Sequence, residues 1–221
     1  MRVRSELKCF AFLFGMFIAS VLSVSVGADK KDPPTTWQGL TLTPSKTVDA
    51  LYLKPGMSLA PYKRFMLDPV EVEFRKEWTT DPRRVSSSDR ERIRGELAEA
   101  AREVFRKELE EKGGYQLVNE QAPDVLRVRA GLVNLYITAP DTGSAARTRN
   151  YVVSAGEMTL VAELRDSESG EVLAMALDRR AARETGMMQW SSKVSNASEA
   201  RNMLRVWAGA LRKALDSSRT T

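Results

Sequence analysis

The 221-residue chain contains no histidine and a single cysteine. Without imidazole there is no Ser-His-Asp triad and no histidine-ligated zinc. The one thiol, Cys9, lies in a segment expected to be removed, as argued below. The remaining chain then has no thiol nucleophile, no cysteine-ligated metal, no iron–sulfur cluster and no disulfide. Neither a Walker loop nor a GxGxxG turn occurs. The one Ser-x-x-Lys match, Ser5 to Lys8, falls in the same removable segment. On these grounds no metal and no cofactor is expected. A strong excess of one charge is lacking too. The chain has 34 basic and 29 acidic residues, and its first 28 residues hold three of the basic ones and Glu6. The rest carries 31 basic against 28 acidic residues, a net of +3. So small an excess does not fit a nucleic-acid-binding stripe. A hydrophobic share of 43% and a charged share of 29% fit an ordinary globule.

The first 28 residues read as a secretory signal peptide. Arg2, Arg4 and Lys8 form a positive start, and Phe10 to Val24 is an apolar run. Val26-Gly27-Ala28 then sets small residues where a signal peptidase needs them, which places the cut between Ala28 and Asp29. The competing reading is an uncleaved anchor, since Cys9 to Val26 is about long enough to span a thinned bilayer. A lipidation cysteine would have to follow the apolar run, and Cys9 precedes it. The expected product is exported to the periplasm or outer envelope and is not lipidated on Cys9.

Residues 29–60 read as an extended lead-in, broken by Pro33-Pro34, Pro44 and Pro55-Gly56. Residues 61–217 read as a single α+β domain and 218–221 as a tail. Phe65 to Phe74 has the alternation of a strand, with Met66, Asp68, Val70, Val72 and Phe74 on one face and an edge or bulge at Pro69. A helix follows. Ser88 and Glu91 have capping-box spacing, and Ile93, Leu97, Ala101, Val104, Phe105 and Leu109 recur at helical spacing until Gly113-Gly114. Strand patterns then cover Tyr115–Val118, Val125–Ile137 with a bulge after Gly131, Met158–Leu164 and Val172–Ala182. Asp166 to Gly170 forms a hairpin loop with Gly170 left-handed. A last helix spans about Asn196 to Asp216, capped by Asn196 and Glu199, with Trp207 as a core anchor. Two amphipathic helices need one sheet face to bury against. The expected fold is therefore a two-layer α+β domain, with a mixed, mostly antiparallel sheet of about five strands and both helices on one face.

Candidate chemistry is sparse. Asp68, Glu71 and Glu73 share a strand, but strict alternation puts Asp68 opposite the other two, which is poor for joint acid–base work. Arg127, Arg129, Arg147, Arg149, Arg179, Arg180 and Arg183 read as a charged sheet face toward water. Two connections stand out. Pro140 to Gly156 is long and holds Tyr151, and Arg183 to Lys193 holds Met187-Met188-Gln189-Trp190. Loops are normally short and polar. Met187, Met188, Trp190 and Tyr151 are accordingly the candidate partner-binding residues.

ALYLKPGMSLAPYKRFMLDPVEVEF (Ala50 to Phe74), APDVLRVRAGLVNL (Ala122 to Leu135), AELRDSESGEVLA (Ala162 to Ala174) and WAGALRKALD (Trp207 to Asp216) occur in this order. Together they resemble domain-of-unknown-function family 3313. The resemblance implies a bacterial envelope protein of a kind often lipidated, and it brings no catalytic residues. The function expected is a non-enzymatic accessory or binding module of the envelope. Its partner would be an envelope protein or a wall or lipid component, with no nucleic acid involved. The alternative is a small-ligand carrier with a pocket between sheet and helices, and a carboxylate-based enzyme stands third. The sequence does not set the oligomeric state. N-terminal sequencing of the extracytoplasmic form should begin at Asp29, and a full-length mass in the membrane fraction would establish the anchor instead.

Overall fold

The thirteen-residue strand Val125–Ile137, β7 in chain order, organises the sheet. The computed structural model describes residues 33–76, 87–137, 151–152, 156–181, 189–190 and 193–219. Before β7 come β1 (Thr36–Trp37), β2 (Leu40–Thr43), β3 (Ala50–Leu53), β4 (Arg64–Leu67), β5 (Glu71–Phe74), helix α1 (Ser87–Arg106), a π-helical turn (Lys107–Lys112) and β6 (Gln116–Leu117). After it come β8 (Tyr151–Val152), β9 (Gly156–Asp166), β10 (Val172–Ala181), β11 (Gln189–Trp190) and helix α2 (Lys193–Arg219).

Among the described residues nine strands form one sheet in the order β1-β2-β3-β10-β9-β7-β4-β6, with β5 also on β7. β4 and β5 run parallel to β7, β6 runs parallel to β4, and the other pairs are antiparallel. The α+β class and the mixed, mostly antiparallel sheet are as the sequence led one to expect, but the strands number nine rather than five. Much of the surplus lies in residues 29–60. That stretch is no mere lead-in, because it supplies β1, β2 and β3, and β3 pairs with β10 over Ala50–Leu53. Gln38 (φ 50°) and Gly39 (φ 79°) make the two-residue turn between β1 and β2. Such a turn needs positive φ at both central residues, which glycine accepts readily and glutamine does not.

The alternation that buries one face slips twice. Phe65 and Leu67 are buried before Pro69 and Val72 after it. The buried phase changes from odd to even positions because the ladder to β7 breaks at Pro69-Val70, just after the Asp68 amide donates to the Val128 carbonyl at 3.0 Å, since proline has no donor. The expected single face over Met66, Asp68, Val70, Val72 and Phe74 is therefore wrong in its first half. In β7, Leu126, Val128, Ala130 and Leu132 keep one phase, and the slip comes at Asn134 (φ 54°) rather than after Gly131. The Asp166–Gly170 hairpin loop forms as expected, with Gly170 at φ 70°.

Both helices bury their stripes against this face. Leu97, Ala101, Val104 and Phe105 of α1 and Met203, Leu204, Trp207 and Leu215 of α2 join Phe65, Leu126, Val128, Ala130, Leu132 and Leu160 in one core. Trp207 is a core anchor, 2% exposed, and its indole N–H donates to Asp178 at 2.6 Å. α2 begins at Lys193, so Asn196 and Glu199 lie inside it rather than at its cap. The helical segment α1 begins by Ser87, which leaves Ser88 one residue inside.

Two glycines should respond oppositely to alanine. At Gly113 a Cβ would stand 2.7 Å from both the Leu109 carbonyl oxygen and Tyr115 Cδ2. At Gly209, within α2, it would meet only Glu108 Oε1 at 3.6 Å, an ordinary contact. Gly113→Ala should therefore cost about 1–3 kcal/mol through overpacking. Gly209→Ala should add about 0.5–1 kcal/mol by removing the helix penalty of glycine. Urea unfolding of the two variants should move the midpoint in opposite directions, and a loss for both would contradict the open approach of α2 to Glu108.

Candidate functional site

The sheet face away from the helices carries its own pattern. Register places Leu42, Tyr52, Met175, Glu163 and Arg129 in one row across β2, β3, β10, β9 and β7. Tyr52 and Met175 are buried, as are Leu40 and Val161, and Trp37 packs edge-on to Tyr52 at 5.9 Å. Toward β7 the row turns ionic. Arg127 Nε donates to Asp68 Oδ1 at 2.9 Å, and Arg129 Nε stands 3.3 Å from Asp68 Oδ2. Arg165 donates to Glu163 Oε2 at 2.8 Å and to the Gly170 carbonyl at 2.9 Å. Arg129 Nη1 is 3.8 Å from the same Glu163 oxygen. The Glu163 side chain is only 2% exposed, and its Oε1 has no hydrogen-bond partner among the described residues.

Arg127 and Arg129 are thus not a basic face open to water. Their side chains are 16% and 14% exposed, and both are tied to carboxylates. Arg179 pairs with Glu157 at 2.6 Å, and Arg180 with Asp178 at 2.6 Å. Arg147, Arg149 and Arg183 lie outside the described residues. The slip at Pro69 also changes the reading of the acids. Asp68 and Glu71 both lie within the field of Arg129, so Asp68 shares a face with Glu71 rather than opposing it.

Burial pushes the carboxyls of Glu71 and Glu73 above their ordinary values, while Arg129 pulls on the first and Arg94 on the second. A raised carboxyl can donate a proton, whereas carboxylates held by arginine are weak bases. Asp166 sits low because the Ser169 backbone amide and hydroxyl donate to it, with Tyr62 adding a third donor. It shapes the hairpin turn. Among the described residues no group of three or more acidic or cysteine side chains is placed to hold a metal ion.

Of the candidate partner-binding residues, Tyr151 and Trp190 are brought together. They stand opposite one another in the two-residue ladder of β8 with β11, where Gln189 faces Val152. This pairing has no sign in the sequence, since each strand is only two residues long and lies in a connection. Met187 and Met188 lie outside the described residues, as do Ala28 and Asp29. The space between helices and sheet, where a carried ligand would sit, is occupied by Phe65, Phe105, Leu109, Leu126 and Leu204, each 2% exposed or less.

The described part is a two-layer α+β domain, apolar beneath its helices and ion-paired over part of its far face. Residues 35–211 match the family model "Protein of unknown function (DUF3313)". The chain belongs to that family. No curated protein matches it. Its fold is similar to a PelC dodecamer subunit from Paraburkholderia phytofirmans, at 13% identity and a TM-score of 0.38, over 73% of this chain and 96% of that one. A minor lipoprotein from Acinetobacter baumannii is similar at 10% identity and 0.37, over 72% and 95%. So is a candidate neuraminyllactose-binding hemagglutinin homologue from Helicobacter pylori, at 12% and 0.42, over 75% and 91%. Among the described residues no helix is long and apolar enough to cross a membrane.

Glu71 and Glu73 give a pH test. Their folded-state carboxyls lie above the unfolded values, so they favour folding while protonated and lose that contribution as pH rises through the folded values. The double variant Glu71→Gln, Glu73→Gln should therefore melt above the parent at about pH 7, with the gap closing toward about pH 4. A lower melting temperature at neutral pH would mean that the two charges serve mainly as partners of Arg129 and Arg94.

Proposed function

We propose that this protein is an exported, non-enzymatic binding module of the cell envelope, and that the connection from Arg183 to Lys193 with Tyr151 is its partner-contacting surface. The observation that carries the reading is the ladder in which Gln189–Trp190 pairs with Tyr151–Val152. Two connections, one marked by its length and Tyr151 and the other by its apolar Met-Met-Gln-Trp run, meet there in the backbone. Tryptophan and tyrosine dominate binding energy at protein interfaces, and methionine adapts to irregular partners. Met187, Met188 and Trp190 offer this combination in one connection, and Tyr151 adds to it across the ladder. The partner would be an envelope protein or a wall or lipid component.

Trp190→Ala separates this role from a structural one. The variant should melt within about 1 kcal/mol of the parent, as surface substitutions do. Its capture of envelope components by the tagged mature chain should weaken at least tenfold. A loss of about 3–5 kcal/mol, expected for a buried ring, would assign Trp190 to the core.

A further inference from the structure

A second region has charge that the fold does not use. α1 does not end in a regular turn. Residues Lys107–Lys112 widen into a π-helical turn, whose i→i+5 bonding brings the two lysines at its ends onto neighbouring positions. The widened turn, the last part of α1 and the middle of α2 enclose a concavity of about 150 Å³, lined by Glu103, Val104, Lys107, Glu108, Lys112, Arg201 and Arg205. Four of these side chains are cationic and two are acidic.

One acid is already committed. Glu108 is buried at the floor, where Lys112 Nζ donates to it at 2.6 Å and Arg212 Nε at 3.1 Å. Burial alone would raise its carboxyl, but the two cations outweigh burial and hold it below the ordinary value. Glu108 therefore stays ionised and is spent on Lys112 and Arg212. Arg205 donates to the neutral Asn202 Oδ1 at 2.5 Å. Among the described residues Lys107 and Arg201 have no ion-pair partner. Elsewhere on α1, Arg92 pairs with Asp89 and Glu96, Arg94 with Glu91, and Arg106 with Glu110 and Glu111, while Arg102, outside the lining, has no ion-pair partner among the described residues. In the groove, cations from both helices converge without that lacing.

We propose that this groove is an anion site that takes a phosphate group, held by Lys107, Arg201 and Arg205. Its volume is below the about 300–1,000 Å³ usual for a site that holds a whole small-molecule ligand. It admits a single phosphate with a few waters, each water filling about 30 Å³. The excess of two positive charges in the lining matches a phosphate dianion, and the two guanidinium groups supply paired donors suited to its oxygens. The group is either free phosphate or the exposed end of a phosphomonoester headgroup, with the rest of that molecule outside the groove. The site shares no residue with the Trp190 segment and stands or falls apart from it.

The test uses the full mature chain at low ionic strength, where screening is weakest. Inorganic phosphate is titrated calorimetrically, and sedimentation is measured with vesicles of phosphatidylcholine alone and with added phosphatidic acid. Binding should weaken at least tenfold in Lys107→Gln, Arg201→Gln and persist in Lys107→Arg, Arg201→Lys, which keeps the charges. Arg102→Gln, which removes a cation of α1 outside the lining, should bind as the parent does. Response to phosphate alone identifies a free-anion site, and response to phosphatidic acid vesicles identifies a headgroup site. Two results would overturn the proposal: binding of neither probe by the parent, or an equal loss in Arg102→Gln, which would reduce the effect to overall charge. Circular dichroism melting of each variant distinguishes loss of the site from loss of the fold.

Discussion

Asp178 is a carboxylate sealed inside the protein, and three elements depend on keeping it satisfied. It is 4% exposed, and it accepts from the Trp207 indole of α2, accepts from the Asp49 amide ahead of β3, and pairs with Arg180 on its own strand. Asp49 returns the bond by accepting from the Arg179 amide at 2.9 Å. A buried charge left without partners costs several kcal/mol, far more than a matched one contributes. α2, β10 and the approach to β3 are therefore coupled through one side chain. The same device recurs more weakly at the far end of α2. There the buried Tyr115 donates to Asp216 at 3.0 Å, and burial first, then that bond, push its hydroxyl up to about 12.

The two faces of the sheet are held by different physics. Beneath the helices, contact is apolar, non-directional and tolerant of exchange between similar shapes. On the other face, the row from Leu42 to Arg129 passes from apolar burial to ion pairs within five strands. Its ionic end is specific in geometry, because Asp68 and Glu163 must each meet arginines that alternate along β7 and β9. Such pairs add little net stability over an apolar packing but penalise wrong registers heavily.

The helices were readable from sequence because their stripes repeat over many residues, and β9, β10 and their hairpin because a long alternation meets a glycine at the required turn position. β1, β2 and β3 were not readable. They are two to four residues long, and their turn uses Gln38-Gly39, outside the usual Asn-Gly or Asp-Gly signal. The face of β4 departs from simple alternation because a proline announces a break in the strand but not the one-residue shift that Pro69 introduces. The ion-paired arginines looked like a wet surface because alternation tells which face a residue takes and says nothing of what that face meets. The pairing of Tyr151 with Trp190 across connections has no local signature at all. The groove at Lys107–Lys112 is legible only in three dimensions, since its cations come from two helices far apart in the chain.

The sheet order has a kinetic consequence. The amide of Asp49 meets Asp178 across 129 residues, and β3 enters the sheet only through β10. β4 likewise waits some 60 residues for β7. Closing such loops delays folding, because chain entropy is lost before the contacts that repay it are made. A chain emerging from its N-terminus first can pair β1 with β2 and β2 with β3 locally, but β3, β4 and β5 wait for β10 and β7 while α1 and its π turn form. Among the described residues the β9–β10 hairpin is the one long strand pair closed by a short loop, and β1 to β3 can join the rest of the sheet only once β10 is in place.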